Sequence, residues 1–164
     1  MRVELAVSWD QHVFPCWRRS ANNAPSPNSD VWRPLPSNLA WFEAQLESND
    51  ISGIFLIGSS DLEETFGSYR IVDINPSMIG DDRHNHRSRI RSLSESILNG
   101  HRHERPIIVS QSGLGPFVII DGNHRCLAYY SLQRLPGLQV YLGMAPGLIE
   151  NYVWARSARE NHTP

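Results

Sequence analysis

Asp121, Gly122, Asn123, His124 and Arg125 follow directly on the apolar run Phe117, Val118, Ile119 and Ile120. Apolar residues resume at Cys126, Leu127 and Ala128. The pattern predicts a buried strand, a tight turn and a helix start. Glycine at 122 lets the chain turn sharply and lets a ligand approach the backbone. A helix N-terminus carries unpaired N–H groups and the positive end of the helix dipole, so it favours anions. His124 and Arg125 add donors there, and an arginine can grip a phosphate through two parallel bonds. The chemistry these residues suit is the binding of a phosphate or carboxylate. Asp121 is either a metal ligand or general base beside that anion, or a cap for the following helix.

The densest charged segment, residues 81–91, offers a second set of groups. Arg83 and Arg87 are candidates to close over phosphates, with Asp81 or Asp82 helping to hold magnesium. The same arginines would also suit a nucleic-acid backbone, or simply a solvated face. His84 and His86, like His101 and His103, are spaced for a metal pair, but a zinc site needs three or four convergent ligands. They are read as surface histidines. Glu104, just before the next predicted strand, is a further candidate base or a surface carboxylate.

Composition narrows the chemistry. All 15 basic residues are arginine, which excludes lysine-dependent phosphate loops, kinase-type lysines and Schiff bases. The formal charge of −2 gives no global attraction to nucleic acid. Cys16 and Cys126 are far apart in sequence, which argues against a disulfide scaffold or a zinc ribbon. No secretory leader or membrane-length apolar run is visible, so a cytoplasmic protein without membrane association is expected.

The elements that must position these residues can be placed by periodicity and punctuation. Strands are expected at residues 2–8, 53–58, 69–74, 106–110, 117–121 and 138–142. Five prolines mark residues 15–37 as a long irregular segment. Ser37 would cap a helix with Leu39, Phe42 and Leu46 on one face. Ser60 and Glu63 suggest a capping box. Helices are also expected at 88–99, with Ile90, Leu93 and Ile97 inward, at 123–132, and from Pro146 to 156. The strands at 106–110 and 117–121 should form a hairpin. Trp9, Trp17, Trp32 and Trp41 crowd the first quarter and are expected mostly in the core. The class that follows is α+β, a mixed sheet with flanking helices.

Residues 69–143 resemble the ParB/sulfiredoxin superfamily. The resemblance rests on Ile74-Asn75-Pro76, Arg83, Ser96-Ile97-Leu98-Asn99-Gly100, Pro106-Ile107-Ile108-Val109 and Asp121-Gly122-Asn123-His124-Arg125, in that order. It implies a core at 69–145, an N-terminal elaboration at 1–68 packed on it, and a C-terminal helix and tail at 146–164. It also implies that the Gly-x-His-Arg turn binds nucleotide phosphates. Sulfiredoxins have cysteine directly before His-Arg, where this chain has Asn123, so thiol chemistry is not implied. Partition proteins need a DNA-binding module for which residues 144–164 are too few. The free-serine-kinase branch, with Asp-Gly-His-His-Arg, is the nearest local match.

These features combine into one expectation. A nucleoside triphosphate or diphosphate, ATP or ADP foremost, would bind through Gly122, Asn123, His124, Arg125, Arg83 and Arg87. Magnesium, held by Asp121, would neutralise charge. Asp121, His124, Asp81, Asp82 and Glu104 are the candidate catalytic groups for phosphoryl transfer to a small hydroxyl-bearing acceptor, or for nucleotide hydrolysis. A nuclease and a non-catalytic nucleotide-sensing module are the alternatives.

Overall fold

The computed structural model describes residues 1–13, 38–75, 84–151 and 155–161. Runs of apolar and β-branched residues form two strands buried on both faces, β4 (Ile107–Ser110) and β5 (Phe117–Asp121). Such double burial requires cover on both sides of the sheet. Around them lie β1 (Arg2–Val7), β2 (Ala40–Gln45), β3 (Ile54–Leu56) and β6 (Gln139–Met144), in the order β1-β2-β6-β4-β5-β3. β4 and β5 form the expected antiparallel hairpin, whereas β4–β6 and β3–β5 are parallel pairs. The sheet is therefore mixed, and the α+β class stands. The first 68 residues supply β1, β2 and β3, so they belong to the sheet itself.

Five α-helices are described: α1 (Ser60–Phe66), α2 (His86–Leu98), α3 (Asn123–Ser131), α4 (Leu148–Asn151) and α5 (Arg156–Asn161). Ile90 and Ile97 of α2 and Cys126, Leu127 and Ala128 of α3 are buried against the sheet and each other. Among the described residues, no helix is long and apolar enough to cross a membrane.

Four expectations are corrected. The segment after Ser37 is strand β2, not a helix. Its backbone is paired on one side with β1 and on the other with β6, and that pairing overrides a weak helical spacing. Trp41 lies over its cross-strand partner Gly143, where a Cβ would come within 2.8 Å of the indole. Trp41 is core as expected, whereas Trp17 and Trp32 lie outside the described residues. Residues 69–74 make only a single bridge, Arg70 to Phe55, and then a 3-10 turn, Ile71–Asp73. The three-residue β3 offers too little edge for a full strand there. Ser60 is the first residue of α1 rather than its cap; Ser59 takes the cap position without a side-chain bond. The C-terminal helix is two short helices, α4 and α5. The irregular segment expected at 15–37 lies outside the described residues.

Candidate functional site

Topology brings three helix starts to one edge of the sheet. β3 and β5 are parallel neighbours, with Ile54 opposite Phe117 and Leu56 opposite Ile119. Their C-terminal ends therefore deliver α1 and α3 to the same side. α2 packs along α3 and begins beside it. In open sheets the ends of parallel strands are where ligands bind.

The turn from β5 into α3 is shaped around glycine. Gly122 has φ of 87°, and a Cβ there would lie 3.0 Å from two nitrogens of Arg125 and 3.1 Å from Pro106. Arg125 folds beneath the turn. Its Nη1 donates to the Glu104 carbonyl at 2.6 Å, and its Nη2 donates to Asp121 Oδ2 at 2.7 Å. The side chains of Arg125 and Asp121 are only 13% and 11% exposed, so this is an inward ion pair that braces the turn. The Asn123 side-chain oxygen accepts the Ile57 N–H at 3.1 Å and ties the end of β3 to the start of α3.

His124 points along the other direction, to α2. Its Nε2 lies 2.7 Å from Nδ1 of His86, and the rings meet edge to edge, 22° from coplanar with centroids 4.9 Å apart. His86 is buried, at 4% exposure. Its other nitrogen, Nε2, lies 3.3 Å from Asp61 Oδ2 of α1, an ion-pair distance without hydrogen-bond geometry. Phe66 packs beside the His86 ring, with centroids 6.0 Å apart. A carboxylate, a buried imidazole and a half-buried imidazole thus stand in line, one from each helix start.

The structure gathers Asp121, Gly122, Asn123, His124, Arg125 and Glu104 around a single turn. Glu104 contributes its backbone carbonyl to Arg125. Arg87 sits on the first turn of α2 and donates to the Thr65 carbonyl at 2.9 Å, which ties α2 to α1. Asp81, Asp82 and Arg83 lie outside the described residues. The sequence reading missed His86 and Asp61. By sequence alone His86 reads as a surface histidine, and Asp61 as part of a helix start. The spacing of His86, Ile90 and Ile97 on one helix face was the available signal, but nothing local links positions 61, 86 and 124.

Two neighbours show how burial tunes the region. His103 is pushed below the usual histidine range, first by burial and then by the charges of Arg125 and His101. The Cys126 thiol, fully buried one residue after Arg125, is pushed up to about 12 chiefly by burial. It packs as a small apolar group.

Asp121 is engaged by Arg125, and no three or more His, Cys, Asp or Glu groups among the described residues converge as metal ligands.

No family model, curated protein or solved structure matches this chain.

Proposed function

We propose that the protein binds the phosphates of a nucleoside triphosphate or diphosphate, ATP or ADP foremost, at the turn of residues 122–125. It then transfers the terminal phosphoryl group to a small hydroxyl-bearing acceptor, or to water. Two lines support this reading. One is the resemblance of residues 69–143 to the ParB/sulfiredoxin superfamily, whose Gly-x-His-Arg turn holds phosphates. The other, which carries the proposal, is the 2.7 Å contact between His124 and His86. It joins the N-termini of α2 and α3, so two positive dipole ends and two imidazoles occupy one place. Arg125, braced by Asp121 and Glu104, shapes the turn. In this reading it raises the local potential more than it grips the ligand directly.

The test is a thermal-shift panel of ATP, ADP, CTP and GTP with magnesium, on wild type and His124→Ala. A ligand at 100 times its dissociation constant stabilises the folded state by about 2.7 kcal/mol. One nucleotide should raise Tm in the wild type and much less in the variant. Phosphorus NMR on that nucleotide then follows loss of its terminal phosphate across a panel of hydroxyl compounds. No shift with any nucleotide overturns the proposal. A shift without turnover would convert it to nucleotide sensing, and binding of DNA or RNA that falls steeply with salt would favour a nuclease.

A further inference from the structure

We propose that the crevice beyond the carboxyl ends of β4 and β6 is a second binding site, which takes a small organic cation, an amine or a guanidinium compound. It is separate from the turn of residues 122–125 and does not depend on the phosphoryl-transfer reading. Two independent observations carry it: the direction of the strands, and the chemistry of the side chains that follow them.

β4 runs antiparallel to β5 but parallel to β6. The sheet therefore holds two parallel pairs that point opposite ways. β3 and β5 end at the edge that carries the 122–125 turn, whereas β4 and β6 end together at the opposite edge, with Ser110 beside Met144. The carboxyl ends of strands are where open sheets take ligands. A cleft of about 550 Å³ lies at this second edge, within the ~300–1,000 Å³ typical of small-ligand sites. It is lined by Gln111 and Ser112, which directly follow β4, and by Pro146, Gly147, Glu150 and Asn151, which follow β6.

The lining side chains decide the charge of the ligand, because their donors are mostly turned inward. With its nitrogen toward the carboxylate, the Gln111 amide donates to Glu150 Oε1 at 2.9 Å and to Oε2 at 2.7 Å, the orientation its neighbours require. Asn151 Nδ2 donates to the Gly147 carbonyl at 2.7 Å, and Ser112 Oγ donates to the Gly115 carbonyl at 3.4 Å. Gly147 has φ of 70°, and a Cβ there would lie 2.9 Å from Asn151 Nδ2, so glycine lets that amide close on the carbonyl. What remains for a ligand is acceptor capacity. A carboxylate offers about four lone-pair sites, more than one amide fills. Arg159 donates to the backbone carbonyls of Ile149 and Glu150 rather than to the Glu150 carboxylate. An excess of acceptors around one carboxylate suits a ligand that brings N–H groups and positive charge. An anion would meet that carboxylate as a like charge.

This crevice is not where a phosphoryl acceptor would sit. β4 is four residues long, so at ~3.3 Å per residue about 13 Å of strand separates the two edges. Direct transfer needs reacting atoms about 3–3.5 Å apart. Ser112, Pro146, Glu150 and Asn151 are exposed, so solvent and salt screen the attraction, and binding is expected in the millimolar range.

The experiment is a titration of the full chain followed by proton–nitrogen correlation NMR of its backbone amides. The probes are 1,4-diaminobutane and agmatine as cations, 1,4-butanediol as the neutral counterpart and succinate as the anionic one. Wild type is compared with Glu150→Gln, which keeps the shape and removes the charge. Glu150 is exposed, so this variant should fold, and its unshifted amide spectrum checks that it does. Either cation should shift the amides of Gln111, Ser112, Gly147 and Asn151 saturably, and added salt should weaken the binding. Glu150→Gln should weaken it roughly fivefold, as for loss of one solvated charge partner. The proposal is overturned if these amides ignore both cations, if the diol or succinate binds as well as the diamine, or if Glu150→Gln binds the diamine as tightly as wild type. Shifts confined to residues 122–125 would overturn it too. The titration contains no nucleotide, so its result stands whether or not the nucleotide panel raises Tm.

Discussion

Replacing Gly122 with alanine tests the link between the turn and the ion pair beneath it. The added methyl would meet two obstacles at once. The backbone is in the left-handed region, with φ of 87°, which costs a residue with a Cβ about 1–2 kcal/mol. The methyl would also stand 3.0 Å from Nε and Nη2 of Arg125. The guanidinium must then shift away from Asp121 and the Glu104 carbonyl, which it holds at 2.7 and 2.6 Å. Weakening one hydrogen bond to a charged group costs a further ~1–2 kcal/mol. The expected loss is therefore about 2–4 kcal/mol, or a Tm lowered by roughly 5–12 °C for a chain of this size. Urea unfolding of wild type and variant measures it. Gly113→Ala is the control, because nothing lies within 4 Å of its added Cβ; it should change stability by less than about 0.5 kcal/mol. A Gly122→Ala variant as stable as the wild type would refute the account of the turn.

Other consequences follow from the same contacts. Arg125→Ala strips a partner from the nearly buried Asp121 carboxylate and from the Glu104 carbonyl, so it should cost about 2–4 kcal/mol in urea unfolding; Arg125→Lys, which keeps the charge, should cost less. Asn123→Ala leaves the Ile57 N–H without its 3.1 Å acceptor and should cost about 1–2 kcal/mol, with Asn123→Asp recovering most of it because a carboxylate oxygen still accepts. The pH dependence of stability carries the signature of Cys126. Its thiol ionises near 9.0 when unfolded and about 12 when folded, so the folded state holds its proton longer. The associated stability is fully present below pH 9 and falls as pH rises toward 12, at up to about 1.4 kcal/mol per unit. Tyr69, held up to about 12 by burial and its bond to Glu63, adds to the decline above pH 10. Denaturation followed across this range should show a shallower slope for Cys126→Ala than for wild type.

Much of the scaffold was legible in the residues alone. Phe117 to Ile120, Ile107 to Val109 and the spacing of Ile90 and Ile97 placed β5, β4 and α2, because strongly apolar segments admit few alternatives. Gly122 marked the turn, since a sharp strand-to-helix reversal calls for a residue without a Cβ. Where local preference was weak, pairing decided. Residues 40–45 spell a plausible helix face, yet their backbone completes the sheet between β1 and β6. The site divides in the same way. Asp121, Gly122, Asn123, His124 and Arg125 are contiguous, so their proximity is covalent. The roles of Arg125 and Asp121 as partners of each other, and of Glu104 as a carbonyl acceptor, depend on how the turn folds back on itself. Asp61 and His86 lie on segments remote from the turn in sequence. They reach His124 only because β3 and β5 run parallel and α2 packs on α3, a coincidence of helix starts that no local pattern encodes.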